Sequence, residues 1–195
     1  MLGPVKSLVK QLISMVLNSY GYEVVYKYVW TPFYKSNERM DLYHEGLKKA
    51  KVEWSDNTHK KCRFYSLQQM VELVVKKDVE GDFVECGCWK GHSTFIISRL
   101  LAQNGSKKHF HVFDSFEGGL SEKTVMDINE PRDLSEDELR REDAIFQSTE
   151  DEVKRSLCGF DFVKLYKGWI PTRFGELDDC RVSFLHIDVD LYQPT

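Results

Sequence analysis

What this sequence lacks narrows it first. No apolar run approaches the roughly 20 residues of a bilayer-spanning helix, and Lys10 and Gln11 interrupt the N-terminal stretch that superficially suggests a signal peptide. Basic charge is not in surplus: 27 Lys and Arg stand against 31 Asp and Glu, a formal net charge of −4, so nucleic acid meets no electrostatic footprint. Cysteine is sparse and odd in number, five residues scattered along the chain, which argues against a disulfide framework and for a reducing, cytoplasmic setting. There is no internal repeat and no low-complexity tract. At 195 residues, 42% hydrophobic and 30% charged, the chain has room for one substantial core.

The local patterns predict a helical leader followed by alternating strands and helices. Val5, Leu8, Val9, Leu12, Ile13, Val16 and Tyr20 recur at helical spacing. An amphipathic helix against its own domain or a second copy in a homodimer fits this stripe. Membrane-surface contact is weaker, because the polar face carries only Lys6 and Lys10. Thr31-Pro32 and "SDNT" at 55–58 punctuate the leader, taken as residues 1–65. Ser66 with Gln69 reads as a capping box for a helix over 67–78, opening the second unit, 66–195. Short strands are predicted at 83–87, 109–114, within 160–168, and at 182–188. A helix follows Gly91, with Phe95, Ile96, Leu100 and Leu101 inward and a stop at Asn104-Gly105. The polar segment 117–147 reads as a lid-like insertion with its own helix, capped by Ser135 and Glu138. This alternation predicts an α/β fold with a Rossmann-like parallel sheet.

The stretch "FVECGCWKGHS" at 83–93 carries most of the functional signal. A strand runs into a glycine turn and then a helix, an arrangement that usually lets a ligand approach bare backbone. A dinucleotide site would need G-x-G-x-x-G. Here an acid, Glu85, precedes Gly87, Trp89 and Gly91, and the third glycine is missing. A carboxylate repels a pyrophosphate and attracts a sulfonium and an α-ammonium, so the pattern favours S-adenosyl-L-methionine. Asp114, closing the second strand, is placed to accept ribose hydroxyls or to stabilise a turn. Ser93, in the first turn of the helix, is placed to hold the methionine carboxylate or to cap that helix, and Glu85 itself has strand capping as its alternative. Cys86 and Cys88 lack zinc spacing and read as buried residues sharing one strand face.

"GDFVECGCWKGHS", "HVFDSFEGG", "YKGWIPTRF" and "FLHIDVDLYQPT" together resemble the macrocin O-methyltransferase family over about residues 80–195, the 117–147 insertion excepted. That resemblance implies a class I, S-adenosyl-L-methionine-dependent, Mg2+-assisted O-methyltransferase acting on hydroxyls of natural-product sugars. It implies a four-strand order 3-2-1-4 for this part of the sheet, with later strands and a further Asp-Asp metal motif absent from the sequence, and an exposed fourth strand. By the same resemblance Trp89 packs against the cofactor, with core packing as its alternative, and Ser115 joins the cofactor-binding set. Asp188 becomes a Mg2+ ligand, while Asp190 is a base, a second ligand or a helix cap, with the base placed first. His186, on the same strand, reads as a satisfied core histidine rather than a ligand. Trp169 lines the adenine pocket, the acceptor site or a lid contact. A non-catalytic methyltransferase-like module and a nicotinamide-dependent oxidoreductase are the alternative readings, the latter opposed by Glu85.

Overall fold

The structure is a computed structural model and describes residues 12–13, 15–17, 19–20, 37–52, 57–117, 145–177 and 179–190. Ser135 with Glu138, nearly all of the 117–147 insertion, the Thr31-Pro32 break and the first residues of the N-terminal stripe lie outside the described residues. The described residues from Leu12 to Ser19 are helical, and Leu12, Ile13, Met15 and Val16 are exposed. In that region the apolar stripe does not pack on its own domain.

Two further helices lie between that segment and the sheet among the described residues, α1 (Asn37–Lys49) and α2 (Thr58–Lys76). The second begins earlier than the capping-box reading places it. Asn57 is the N-cap: its backbone is extended and its side chain accepts the Lys60 N–H at 2.8 Å. Ser66 therefore lies inside the helix, and so does the 65/66 boundary. Asparagine caps as well as serine does, and the apolar face running back through Phe64 extends the helix toward it.

Four strands follow: β1 (Asp82–Cys86), β2 (Phe110–Asp114), β3 (Val163–Lys167) and β4 (Val182–Ile187). They form one parallel sheet in the order β3-β2-β1-β4, as expected. Between β1 and β2 runs α3 (His92–Gln103), which ends at Asn104 with Gly105 in the left-handed region, φ 62°. Between β2 and β3 lies the short α4 (Glu150–Ser156), opened by a reciprocal capping box of Thr149 and Glu152. A 3-10 turn (Phe174–Leu177) leads toward β4.

Alternation along each strand divides the sheet into two unequal faces. One face carries Phe83, Phe110 and Val112 against Phe95, Ile96, Leu100 and Leu101 of α3, with Val71 of α2 and Leu42 of α1. Each fully buried side chain of this size contributes about 2–3 kcal/mol. The other face holds a smaller cluster of Val84, Cys86 and Phe113, with Tyr166 stacked on Phe113 at 4.6 Å. On that face Leu185 and Ile187 of β4 remain about half exposed, so β4 is the apolar edge expected of it. Cys86 and Cys88 correct the shared-face expectation. The strand stops at Cys86, Gly87 takes φ 82°, and Cys88 turns into the larger core while Cys86 stays in the smaller one.

Candidate active site

The loop after β1 is shaped by the protein's own backbone. A Cβ at Gly87 would collide with the carbonyl of Asp188, just beyond β4. At Gly91 a Cβ would press on Val153 of α4 at 3.1 Å. Both glycines have φ near 80°, where L side chains are strained. The close approach read from the sequence is thus made by neighbouring segments of the fold at both glycines.

Of the two acids expected at the cofactor, Asp114 holds this loop in place and Glu85 ties the strands and helix around it. Asp114 Oδ2 accepts the N–H groups of Cys88 at 2.8 Å and Trp89 at 3.0 Å, and its Oδ1 accepts that of Phe116 at 3.0 Å. Glu85 is fully buried beneath the loop. One of its oxygens accepts the Thr94 hydroxyl at 2.5 Å and the other meets His186 Nδ1 at 2.9 Å. Burial alone would lower the His186 pKa, but the bond and charge of Glu85 outweigh it and hold the imidazole above its usual value. His186 is the satisfied histidine expected. Burial, with Glu85 adding to it, pushes the Cys86 thiol up to about 11. Burial beside Asp114 raises Cys88 well above its ordinary value. Neither thiol is poised as a nucleophile or ligand.

Trp89 has a left-handed backbone, φ 49°, and a half-buried side chain. Its indole N–H donates to the Ile145 carbonyl at 3.0 Å, which ties the glycine loop to the chain entering α4. One edge of the ring is thus fixed while the side chain lines a crevice of about 400 Å³. Gly87, Trp89, Ser93, Asp188 and Asp190 meet in this crevice. Gly91 faces α4, Glu85 and Asp114 lie under the loop, and Ser115 is half-buried at the carboxyl end of β2.

The opposite wall was not read from the sequence. Asn57, His59, Lys60, Arg63 and Phe64 line it from the first two turns of α2. His59 and Arg63 stand four apart, as do Lys60 and Phe64, which is the one available signal. The helices are fixed by His92 of α3. Its ring stacks on Phe64 at 4.1 Å, its Nε2 meets the Tyr43 carbonyl at 3.0 Å, and Gly46 of α1 leaves room for it.

Asp188 follows the end of β4, its N–H donating to the Cys86 carbonyl at 2.9 Å. Its side chain is about half exposed, with Arg63 at 3.8 Å. Asp190 sits in the left-handed region, φ 60°. Burial first, and the charge of Asp188 second, raise its carboxyl above the usual value. Trp169, placed after β3, donates its indole N–H to Glu117 at 3.1 Å and is 40% exposed, which does not place it in the crevice wall.

The sheet order, the acid-bearing glycine loop and the crevice beside the carboxyl ends define a Rossmann-like class I methyltransferase fold. Residues 33–195 match the model of the macrocin O-methyltransferase (TylF) family, and the chain belongs to that family. It is 26% identical over 176 residues to demethyldecarbamoylnovobiocin O-methyltransferase of Streptomyces niveus, covering 84% of this chain and 65% of that protein. It is 26% identical over 140 residues to an 8-demethyl-8-(2,3-dimethoxy-alpha-L-rhamnosyl)-tetracenomycin-C 4'-O-methyltransferase of Streptomyces olivaceus, covering 68% and 51%. The solved structure of the O-methyltransferase NovP matches with a TM-score of 0.54 at 26% identity, over 77% of this chain and 64% of that one. The chain thus spans less than two thirds of the length of these relatives. Among the described residues, no helix is long and apolar enough to cross a membrane.

Proposed function

We propose that the whole protein transfers a methyl group from S-adenosyl-L-methionine to a hydroxyl of a small acceptor, a sugar or glycosylated metabolite, with Mg2+ assistance. The observation that carries this reading is the crevice itself: a glycine loop and a helix N-terminus on one side, two adjacent carboxylates on another. The rhamnosyl group in the name of the Streptomyces olivaceus relative supports a sugar hydroxyl as acceptor.

S-adenosyl-L-methionine supplies an electrophilic methyl group on a cationic sulfur. Ser93 and the N-terminal turn of α3 hold its carboxylate. Trp89, fixed by Ile145, presents an aromatic ring that favours the cation. Of the roughly four lone-pair sites of the Asp114 carboxylate, three already accept backbone N–H groups. Asp114 therefore has room for one ribose hydroxyl rather than two, and Ser115 is the neighbouring donor. Glu85 acts from below, by its negative charge and by fixing the strand ends. Asp188 and Asp190, two close carboxylates in an open crevice, suit a hard cation that prefers oxygen ligands and keeps water. Mg2+ there would lower the pKa of the acceptor hydroxyl. Asp188 would hold the ion, and Asp190 beside it would take the hydroxyl proton as general base. The α2 wall positions the acceptor, so that attack on the methyl group requires mainly orientation. We read residues 1–65 as a cap on the catalytic unit 66–195, the 117–147 segment as a lid, and the protein as cytoplasmic. The exposed apolar turns at 12–17 suit a second copy of the chain in a homodimer.

Calorimetric titration of S-adenosylhomocysteine into this chain tests the cofactor assignment. Binding that disappears in Asp114→Ala, with the fold intact by circular dichroism, supports it. Absence of binding to the folded wild-type chain sinks it.

A further inference from the structure

A second polar cluster lies at the amino end of the sheet, on the face opposite the larger core. Asp82 opens β1, His111 is the second residue of β2, and Cys180 precedes β4. His111 pairs with Val84, so its side chain falls on the same face as that of Asp82, one step along. A register shift between Asp82 and Phe83 and the turn closed by Cys180 N–H on the Leu177 carbonyl, 2.8 Å, bring the thiol to the same point. Asp82 Oδ2 is 3.5 Å from His111 Nε2 and 3.7 Å from Cys180 Sγ. All three donor atoms lie within 4.8 Å of one another. Zinc bonds of about 2.0–2.3 Å in tetrahedral geometry place donors about 3.3–3.8 Å apart.

An independent observation points to a ligand here. His111 is only 6% exposed, yet its Nε2 has no hydrogen-bond partner. Buried polar atoms are normally satisfied, and each exception needs a reason. The other ring nitrogen, Nδ1, is 2.8 Å from the Tyr166 hydroxyl, and the two rings stack at 5.7 Å. With the proton on Nδ1 and donated to Tyr166, the Nε2 lone pair faces Asp82 and Cys180. A metal-bound histidine is oriented in this way by its outer partner. Asp82 is prepared too: its Oδ1 accepts the His109 N–H at 2.9 Å, which leaves Oδ2 for the cluster. Two of the nearby cations are committed elsewhere, while Lys107 lines the hollow at this cluster. Lys108 donates to the carbonyls of Val79 and Gly81, and Arg181 pairs with Glu80. Lys164 lines the same hollow and opposes a cation, against two anionic donors.

We propose that Asp82, His111 and Cys180 form a binding site for a zinc-class divalent cation, separate from the crevice at the other end of the sheet. One thiolate, one imidazole and one carboxylate suit a borderline-soft ion; Mg2+ and Ca2+ take oxygen. Binding releases the Cys180 proton to solvent, and water from the hollow completes the coordination. The ion ties the turn before β4 to β1 and β2, and so braces the exposed edge strand.

The test is titration of Co2+ into the metal-free chain. A thiolate-to-metal charge-transfer band saturating at one equivalent, and abolished by added Zn2+, is the expected result. Cys180→Ser removes the band, while Cys158→Ser, an exposed cysteine elsewhere, keeps it. Tyr166→Phe weakens binding by about tenfold through the lost partner of Nδ1. X-ray absorption of the wild-type chain loaded with Zn2+ gives a reading that needs no variant, with one sulfur among the donors expected. A folded chain that shows no band, a band that survives Cys180→Ser, or a zinc shell of nitrogen and oxygen alone overturns the proposal.

Discussion

The two ends of β1 are built from the same parts and finished differently. At each end a glycine presses on the backbone beside β4, Gly81 on Arg181 and Gly87 on Asp188. At each end an acid of β1 faces a histidine of a neighbouring strand. At the carboxyl end the pair is closed, with Glu85 bonded to His186 and Thr94. At the amino end it is open, since Asp82 and His111 stand 3.5 Å apart and Nε2 has no hydrogen-bond partner. The imidazoles respond in opposite directions. Glu85 lifts His186 against the effect of burial, whereas burial lowers His111 against the effect of Asp82. A closed pair of this kind ties neighbouring elements together through their side chains; an open one leaves coordinating atoms for something else.

The largest effects should come from the glycines. Gly87→Ala and Gly81→Ala each force a Cβ into the backbone at an end of β4 at positive φ, and each should lose about 4 kcal/mol in urea unfolding. Gly105→Ala, at positive φ in open space, should lose only about 1 kcal/mol. Equal losses at all three would show that the β4 contacts do not matter. Next comes the contrast between the acids. Glu85→Ala strands a half-buried histidine and a buried hydroxyl and should lose about 3 kcal/mol. Asp82→Ala in metal-free protein breaks no close bond to His111 and should lose about 1 kcal/mol. Matching losses from the two substitutions would erase the distinction between a closed and an open pair.

Gly91→Ala should fall below the other loop glycine, at about 2 kcal/mol, because it meets the movable Val153 side chain rather than backbone. Among the small effects is the cap of α4, the helix on which Gly91 rests. Thr149→Ala should lose about 1 kcal/mol. The capping bonds from the Thr149 backbone and hydroxyl hold the Glu152 carboxyl below its ordinary value. A depressed carboxyl stabilises above its unfolded pKa, and that contribution fades as pH falls through the folded one. Thermal melts from neutral to acid pH should therefore show a shallower loss in Thr149→Ala than in the wild type, and unchanged slopes would remove Glu152 from the account.

Most of the sheet and the glycine loop were legible from local pattern. The four strands, α3 with its stop at Asn104-Gly105, and Gly87 and Ser93 beside the first strand follow from spacing and turn chemistry, whereas Trp89 and Asp188 were brought to the same site only by the family resemblance. The start of α2 was misread because Ser66 and Asn57 offer equally good caps and local sequence does not rank them. The α2 wall was invisible for a related reason: His59 and Arg63 acquire a role only once His92 docks that helix against α3.

By itself, then, the sequence determined an α/β chain with a glycine loop after its first strand and acids at the strand ends, because periodicity and turn chemistry are local. Only the tertiary structure decided what those acids do. Glu85 meets His186 across 101 residues, and Cys180 reaches Asp82 across 98. Such pairings depend on strand order and register, which bring distant positions onto one face and which no local window of sequence contains.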